Sequence, residues 1–268
     1  MLTFYQASGD TLKATTKPKQ AEPLIIYGEH FSLLEAKQLA SDFELPHHLL
    51  TDVFDAHELP RVETVDGITY VFARSPELHG AKVMSWPVLF IASKTMFACL
   101  SSRTNLPDSL TKPATGLTKS EPQKLLISHL MQIIKRYEAL IDIVGNRIEK
   151  TEKLMRSHEA SNRDFFGFVT IDGNLNRCKL SLGGMLVVAE KMFASTESKT
   201  DKEHIDDIQL FIKQLLVEID SHAQAIDSIN RAYETVANNT LNQRMRILTV
   251  LTLLVALPNV FYGMYGMN

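Results

Sequence analysis

The chain has 268 residues, of which 45% are hydrophobic and 22% charged, and 28 basic against 31 acidic residues give a net charge of −3. This balance provides no basic field for a nucleic-acid backbone, and 12 glycines with 10 prolines exclude a collagen-like or broadly disordered chain. Two cysteines, Cys99 and Cys178, are too few for a disulfide framework or a zinc site, which favours a reducing compartment. The first 30 residues lack the apolar core of a secretory signal, so we expect the N-terminus in the cytosol.

Residues 1–118 have the pattern of a cytosolic α/β domain. Helical spacing of apolar residues predicts a helix over 31–43. An Asp-Gly pair between β-branched runs predicts a hairpin over 62–73. Short apolar runs predict three further strands, at residues 23–28, 83–93 and 95–101. A segment rich in Pro, Thr, Lys and Gly, residues 106–122, marks a boundary.

Residues 119–246 predict a cytosolic helical coil and stalk. Long helical patterns cover 123–158 and 165–193, and apolar residues then recur at spacings of three and four from Ile205 to Thr240. Such a seam calls for a partner helix. The partner is either a second copy of the chain or the chain's own preceding helices. No glycine or proline separates the seam from the apolar C-terminal segment, which predicts one helix from about residue 202 to about 262.

The C-terminal segment, residues 247–268, has no charged residue over its 22 positions. A helix of this length spans roughly 33 Å, about the thickness of a bilayer core. A transmembrane helix is therefore predicted, and the alternative is a buried core helix. Arg244 and Arg246 directly precede the segment, so the positive-inside rule places the preceding chain in the cytoplasm. Together the patterns predict an α+β fold: an N-terminal mixed α/β cytosolic domain, a long helical coil, and one very long stalk helix that continues into the first transmembrane helix.

One face of this segment carries polar or small residues at helical spacing. They are Asn242, Met245, Thr249, Thr252, Ala256 and Asn259. Lipid cannot satisfy polar side chains, so such a stripe contacts other protein or water. Helix packing within one copy is one interpretation. A pore-lining stripe is the other, and it needs symmetry-related copies around an axis.

The chain ends in Tyr265, Gly266, Met267 and Asn268, directly after the predicted transmembrane helix. At this position the tetrapeptide resembles the signature of the CorA family of divalent-cation transport proteins. Residues 46–63 also resemble the family's cytosolic segment, and residues 242–249 resemble the beginning of its pore helix. Family members continue through a second transmembrane helix and a basic tail. Neither follows here, so we expect a chain truncated after the signature.

The resemblance implies a homopentamer in the inner or plasma membrane, with five copies of the helix around a central pore. The Asn268 side chains would ring the outer mouth, where amide oxygens accept hydrogen bonds from the water shell that Mg²⁺ sheds reluctantly. Met245 and Leu248 would narrow the path as a hydrophobic constriction. The implied pore-lining residues are Asn242, Met245, Leu248, Thr249, Thr252 and Asn259.

The resemblance also implies a regulatory divalent site between subunits, formed by Asp52 and Asp207. Two carboxylates with bound waters make a weak site for a hard cation, and weak binding suits a sensor of cellular magnesium. In this interpretation an occupied site favours the closed pore. The alternative is that Asp206 and Asp207 only favour a helix N-terminus and that Asp52 is a solvated helix position.

The function implied is a passive, Mg²⁺-gated homopentameric channel for Mg²⁺, with Co²⁺ and Ni²⁺ as further candidates. No Walker loop, GxGxxG or GxSxG motif supports an enzyme or an organic cofactor. The expected partners are further copies of the chain, divalent metal ions and membrane lipid, but not nucleic acid. Two alternatives remain: export of zinc or another divalent cation by the same architecture, and a membrane-anchored oligomeric interaction protein without transport activity.

Overall fold

A computed structural model of the chain describes residues 2–8, 11–15, 24–103, 110, 121–156 and 162–266. The strands are β1 (Leu2–Ser8), β2 (Thr11–Thr15), β3 (Leu24–Gly28), β4 (Arg61–Val65), β5 (Ile68–His79), β6 (Lys82–Ala92) and β7 (Met96–Leu100). The helices are α1 (Leu33–Asp42), α2 (His47–Thr51), α3 (Pro122–Arg156), α4 (Asn162–Ser195) and α5 (Lys199–Tyr265). The predicted α+β fold is confirmed. Most of the boundary predicted at 106–122 lies outside the described residues.

The described strands form one seven-stranded sheet in the order β2-β1-β3-β7-β6-β5-β4. Neighbouring strands are antiparallel except for β3 and β7, which are parallel. The predicted hairpin is present, and its turn residues Asp66 and Gly67 both have positive φ, as a type I′ turn requires. Strands β1 and β2 are additions that the sequence patterns did not predict.

Both faces of the sheet are buried. In β3, Ile25 and Tyr27 belong to the core shared with the long helices α3, α4 and α5, whereas Leu24 and Ile26 belong to the core shared with α1 and α2. This alternation follows from the two-residue period of a strand. The sheet therefore joins the long helices on one side to the segment that carries Asp52 on the other.

The apolar seam of α5 is covered by the chain's own helices over its first part. The buried seam residues are Ile205, Ile208, Ile212, Leu215, Ile219, Ile226 and Ile229. They share one core with residues of α3 and α4. The chain's own preceding helices, and not a second copy of the chain, therefore cover this part of the seam. Farther along, Val236 is 50% exposed and Thr240 is also exposed, so the single chain leaves these two seam positions uncovered.

Helix α5 is continuous over 67 residues, or about 100 Å at the rise of an α-helix. It begins after Ser198, whose hydroxyl accepts a hydrogen bond from the Asp201 N–H at 3.3 Å. It continues through Pro258, which has no N–H to donate to the carbonyl one turn earlier. Among the described residues this helix alone is long and apolar enough to cross a membrane, and no part of its apolar window is buried. The single chain therefore does not bury this segment as the alternative of a buried core helix predicts.

A buried polar pair links the sheet to α3. The Nδ1 atom of His129 lies 2.7 Å from the Leu125 carbonyl, and its Nε2 atom lies 3.0 Å from the Tyr27 hydroxyl. Because a carbonyl only accepts, the proton sits on Nδ1, and Tyr27 donates to Nε2. Burial lowers the pKa of His129 to about 4, so the ring stays neutral at pH 7.

Two adjacent glycines of α4 should respond in opposite ways to substitution by alanine. A Cβ at Gly184 would lie 2.9 Å from Cγ of Pro60, whereas nothing lies within 4 Å of a Cβ at Gly183. We expect Gly184→Ala to lower the free energy of unfolding by about 1–3 kcal/mol, because the rigid Pro60 ring must move. Gly183→Ala should raise it by up to about 1 kcal/mol, because alanine is the better helix former.

Thermal unfolding of both variants in detergent checks this prediction. Equal shifts for the two variants would show that the loop containing Pro60 does not pack against α4 as described.

Candidate functional site

The polar stripe of α5 lies on the part of the helix that the rest of the chain leaves uncovered. Met245 is 56% exposed. The Thr249 hydroxyl donates to the Met245 carbonyl and the Thr252 hydroxyl to the Leu248 carbonyl, both at 2.8 Å. Each threonine oxygen keeps lone pairs that can accept a further hydrogen bond. The stripe can therefore accept hydrogen bonds from water.

The predicted pore-lining residues share one side of this helix. At about 100° per residue, Asn242, Met245, Thr249, Thr252 and Asn259 fall within an arc of about 100°. Leu248 lies at the margin of this arc, about 20° beyond Asn259. A single helix cannot enclose a path, so this arc becomes a pore lining only when further copies of the helix surround the same axis.

The signature begins at the C-terminal end of α5. Tyr265 is the last helical residue and is 82% exposed. The Gly266 N–H donates to the Tyr262 carbonyl at 2.8 Å, which closes the final turn. Met267 and Asn268 lie outside the described residues. The outer ring of Asn268 side chains therefore stays a prediction.

The predicted regulatory residue Asp52 has a cationic partner within its own chain. Its Oδ2 atom accepts a hydrogen bond from Nη2 of Arg61 at 2.6 Å. The same guanidinium pairs with Glu58 through Nη1 and with Oε1 of Glu63 through Nε at 2.6 Å. It also lies 4.0 Å from the centre of the Phe72 ring. Three carboxylates therefore share one guanidinium, which leaves this group with a net charge of −2.

Arg74 of β5 holds the loop between Asp52 and Arg61. Its Nη1 atom donates to the Glu58 carbonyl at 2.6 Å and its Nη2 atom to the Ala56 carbonyl at 3.0 Å. Burial lowers the pKa of Arg74. The hydroxyl of Tyr137, on α3, donates to the Arg74 carbonyl at 3.0 Å. Through these bonds the acidic group is tied to the long helices that lead to the membrane segment.

Asp207 lies in a different environment, between α5 and α3. It lines a cavity of about 440 Å³ whose other polar lining residues are Lys124, Ser128, Gln132, Lys135 and His204. Asp52 is not among the residues that line this cavity. The cavity therefore contains only one of the two predicted ligands. A site between subunits takes one ligand from each chain, so the single chain leaves this prediction untested.

Both residues fit the ligand type that Mg²⁺ favours. The Asp52 side chain is 36% exposed, and Asp207 is also exposed, so each carboxylate can meet an ion that keeps most of its waters. Among the described residues no group of three or more His, Cys, Asp or Glu side chains is arranged to hold a metal ion. A divalent site formed by Asp52 and Asp207 therefore needs water molecules as further ligands.

Comparison with known proteins supplies the context for this geometry. The family described as CorA-like Mg²⁺ transporter protein matches residues 30–268. The cobalt/magnesium transport protein CorA of Methanocaldococcus jannaschii is 21% identical over 221 residues, which are 80% of this chain and 70% of that protein.

Solved structures are similar in fold. The complete structure of the CorA magnesium transporter from Methanocaldococcus jannaschii has a TM-score of 0.87 at 16% identity, covering 100% of this chain and 87% of that one. The cytoplasmic domain of ZntB from Vibrio parahaemolyticus has a TM-score of 0.62 at 10% identity, covering 86% of this chain and 98% of that one. At these identities the likeness shows the fold alone.

The family match includes every part of the candidate site. It extends over strands β4 to β7 and helices α1 to α5, and so covers Asp52, Asp207, the polar stripe and the signature. CorA proteins are membrane transporters rather than enzymes. This chain belongs to the family of CorA-like Mg²⁺ transporter proteins.

Proposed function

We propose that this chain forms the pore of a passive, Mg²⁺-gated homopentameric channel that carries Mg²⁺, and also Co²⁺ or Ni²⁺, across the cell membrane. The observation that carries the proposal is the unbroken helix α5. It runs from a covered part, packed by α3 and α4, into an uncovered apolar part that ends at the signature. The covered part belongs to the cytoplasmic side, because Arg244 and Arg246 directly precede the apolar part.

The polar stripe suits a path for a hydrated cation. Mg²⁺ holds its inner waters tightly, so a pore that binds these waters passes the ion without stripping them. The Thr249 and Thr252 oxygens have lone pairs for such water contacts. A membrane potential contributes about 2.3 kcal/mol per elementary charge per 100 mV. A divalent cation therefore gains about twice that amount by moving inward, without coupling to another energy source.

The constriction supplies a gate. Met245 and Leu248 are both more than half exposed in the single chain, and both reach the pore side in the pentamer that we propose. A narrow ring of apolar side chains loses its water and so blocks a hydrated ion. Small tilts of α5 widen or narrow such a ring, because the helix is continuous from the cytosolic core to the constriction.

We assign the regulation of this gate to Asp52 and Asp207 of neighbouring subunits. With a divalent cation between them the two carboxylates hold adjacent subunits together, and without it they repel. Only a difference in affinity between the closed and open states can couple ion binding to gating. Five equivalent sites in a ring give a steeper response than one site.

A second candidate function is export of zinc or another divalent cation. The likeness in fold to the cytoplasmic domain of ZntB leaves this candidate open. Flux measurements with Mg²⁺ and Zn²⁺ in separate liposome preparations distinguish the two candidates, since a magnesium channel conducts Mg²⁺ when zinc is absent.

Asn268→Ala should remove most of the Mg²⁺ flux. The amide oxygen is the group proposed to bind the ion's waters. The net loss of one such hydrogen bond corresponds to about a tenfold loss of flux. The protein is expressed from its natural gene, checked for membrane insertion and assembly, and assayed for Mg²⁺ flux and for growth of a magnesium-starved host. Asn239→Ala, an exposed position of α5 outside the stripe, is the matched control. Unchanged flux in Asn268→Ala would refute the selectivity role.

The pair Asp52→Asn and Asp207→Asn should remove closure by cytosolic Mg²⁺. Without the two carboxylates the proposed regulatory ion has no anionic ligand, so the flux should persist at millimolar Mg²⁺ concentrations that close the wild type. Asp206→Asn, one residue from Asp207 and also exposed, removes the same charge and should leave closure unchanged. If the double variant closes at the wild-type magnesium concentration, the pair is not the sensor.

A further inference from the structure

Asp52 already has a cation beside it before any metal ion arrives. The Arg61 Nη2 atom lies 2.6 Å from Asp52 Oδ2, in the range of a charge-assisted hydrogen bond. Two positive ions cannot occupy the same side of one carboxylate oxygen. A divalent cation that approaches Oδ2 from the side of Arg61 must therefore displace the guanidinium.

Arg61 is held in place by contacts that do not involve Asp52. It pairs with Glu58, whose side chain is only 14% exposed, and with Glu63, and it lies over the Phe72 ring. When Asp52 moves away, the guanidinium still has two carboxylates and an aromatic face. Its pair with Asp52 is also part-exposed, at 28% and 36% exposure for the two side chains, and such pairs contribute little to stability. Release of Asp52 therefore leaves no unpaired buried charge.

We propose that Arg61 is an internal competitor for the divalent cation at Asp52. It pairs with Asp52 while the regulatory site is empty and gives way when the site fills, and it thereby sets the ion concentration at which the site fills. Glu58 and Glu63 act in the opposite sense, because they compete with Asp52 for the same guanidinium. This inference rests on the regulatory role of Asp52 proposed above.

The competition predicts opposite effects for two substitutions. Arg61→Gln removes the competing charge and should tighten divalent binding at Asp52 by up to about fivefold, the factor that corresponds to a part-exposed ion pair. Glu63→Gln frees the guanidinium from one competing acid, strengthens its pair with Asp52, and should weaken divalent binding by about twofold.

A matched control separates competition from a general change of charge. Arg103→Gln removes the same charge from a nearby segment. This segment contacts the turn that contains Asp52, because the Ser102 hydroxyl donates to the Val53 carbonyl at 3.4 Å. The Arg103 guanidinium itself lies over the Trp86 ring. Because the Arg61 contact is direct, its effect should persist at high salt. The effect of a more distant charge is screened there, because the Debye length falls from about 10 Å at 0.1 M to about 3 Å at 1 M salt.

The test measures Mn²⁺ binding to the full chain in detergent. The electron paramagnetic resonance signal of free Mn²⁺ reports how much of the ion remains unbound. Binding that is lost in Asp52→Asn defines the site. Tighter binding in Arg61→Gln, weaker binding in Glu63→Gln and no comparable change in Arg103→Gln support the proposal. Should Arg61→Gln fail to fold, the Glu63→Gln shift decides if the weaker binding persists at high salt, where the loss of a nearby charge alone is screened.

Two results would overturn the proposal, and they differ in what else they overturn. In the first, Mn²⁺ binding depends on Asp52, but Arg61→Gln changes it no more than Arg103→Gln does, or Glu63→Gln leaves the affinity unchanged. Arg61 is then not a competitor, and the proposed sensor stands. If wild-type binding does not depend on Asp52, the sensor role fails together with the competition.

Discussion

The continuity of α5 is the constraint on which the rest of this structure depends. Inside a bilayer every backbone N–H and C=O group must find its partner within the protein, and an unbroken helix meets this demand along almost its whole length. The same helix has its first part buried against α3 and α4. One continuous helix therefore joins the core shared with α3 and α4 to the apolar segment, without a linker between them.

Regular local patterns made much of this fold predictable. The hairpin around Asp66–Gly67 and the long helices follow from short-range chemistry: turn residues with positive φ, and apolar residues at a period near 3.6. Strands β1 and β2 gave weak signals: β2, an edge strand, has only two apolar residues among five, and in β1 the adjacent Phe4 and Tyr5 interrupt the alternation. Strand β5 continues past the predicted hairpin through Pro76, and a proline is tolerated there because β4 pairs only as far as Phe72.

The candidate site was less predictable, because its contacts join distant elements. Periodicity showed that the face of α5 beginning at Ile205 needs a partner, but it could not decide between a second copy and the chain's own helices. The resemblance to CorA proteins singled out Asp52, yet nothing in the sequence marked Arg61 as its partner. That pair forms because the 3₁₀ turn Asp52–Phe54, a loop held by Arg74 and the start of β4 bring the two side chains together. The residue pattern of one chain also cannot show whether Asp52 of one subunit meets Asp207 of another, as we propose.

The orientation of the α5 stripe is the feature that decides whether this helix lines a pore, and cysteine cross-linking in native membranes measures it directly. Thr252 lies in the stripe, and Leu254, at nearly the same depth, lies about 160° away around the helix. The native Cys99 and Cys178 are free and buried, so they should not react. A pore around a symmetry axis predicts disulfide-linked dimers for Thr252→Cys and few or none for Leu254→Cys. Equal cross-linking, or cross-linking of Leu254→Cys alone, would contradict a pore lined by this stripe.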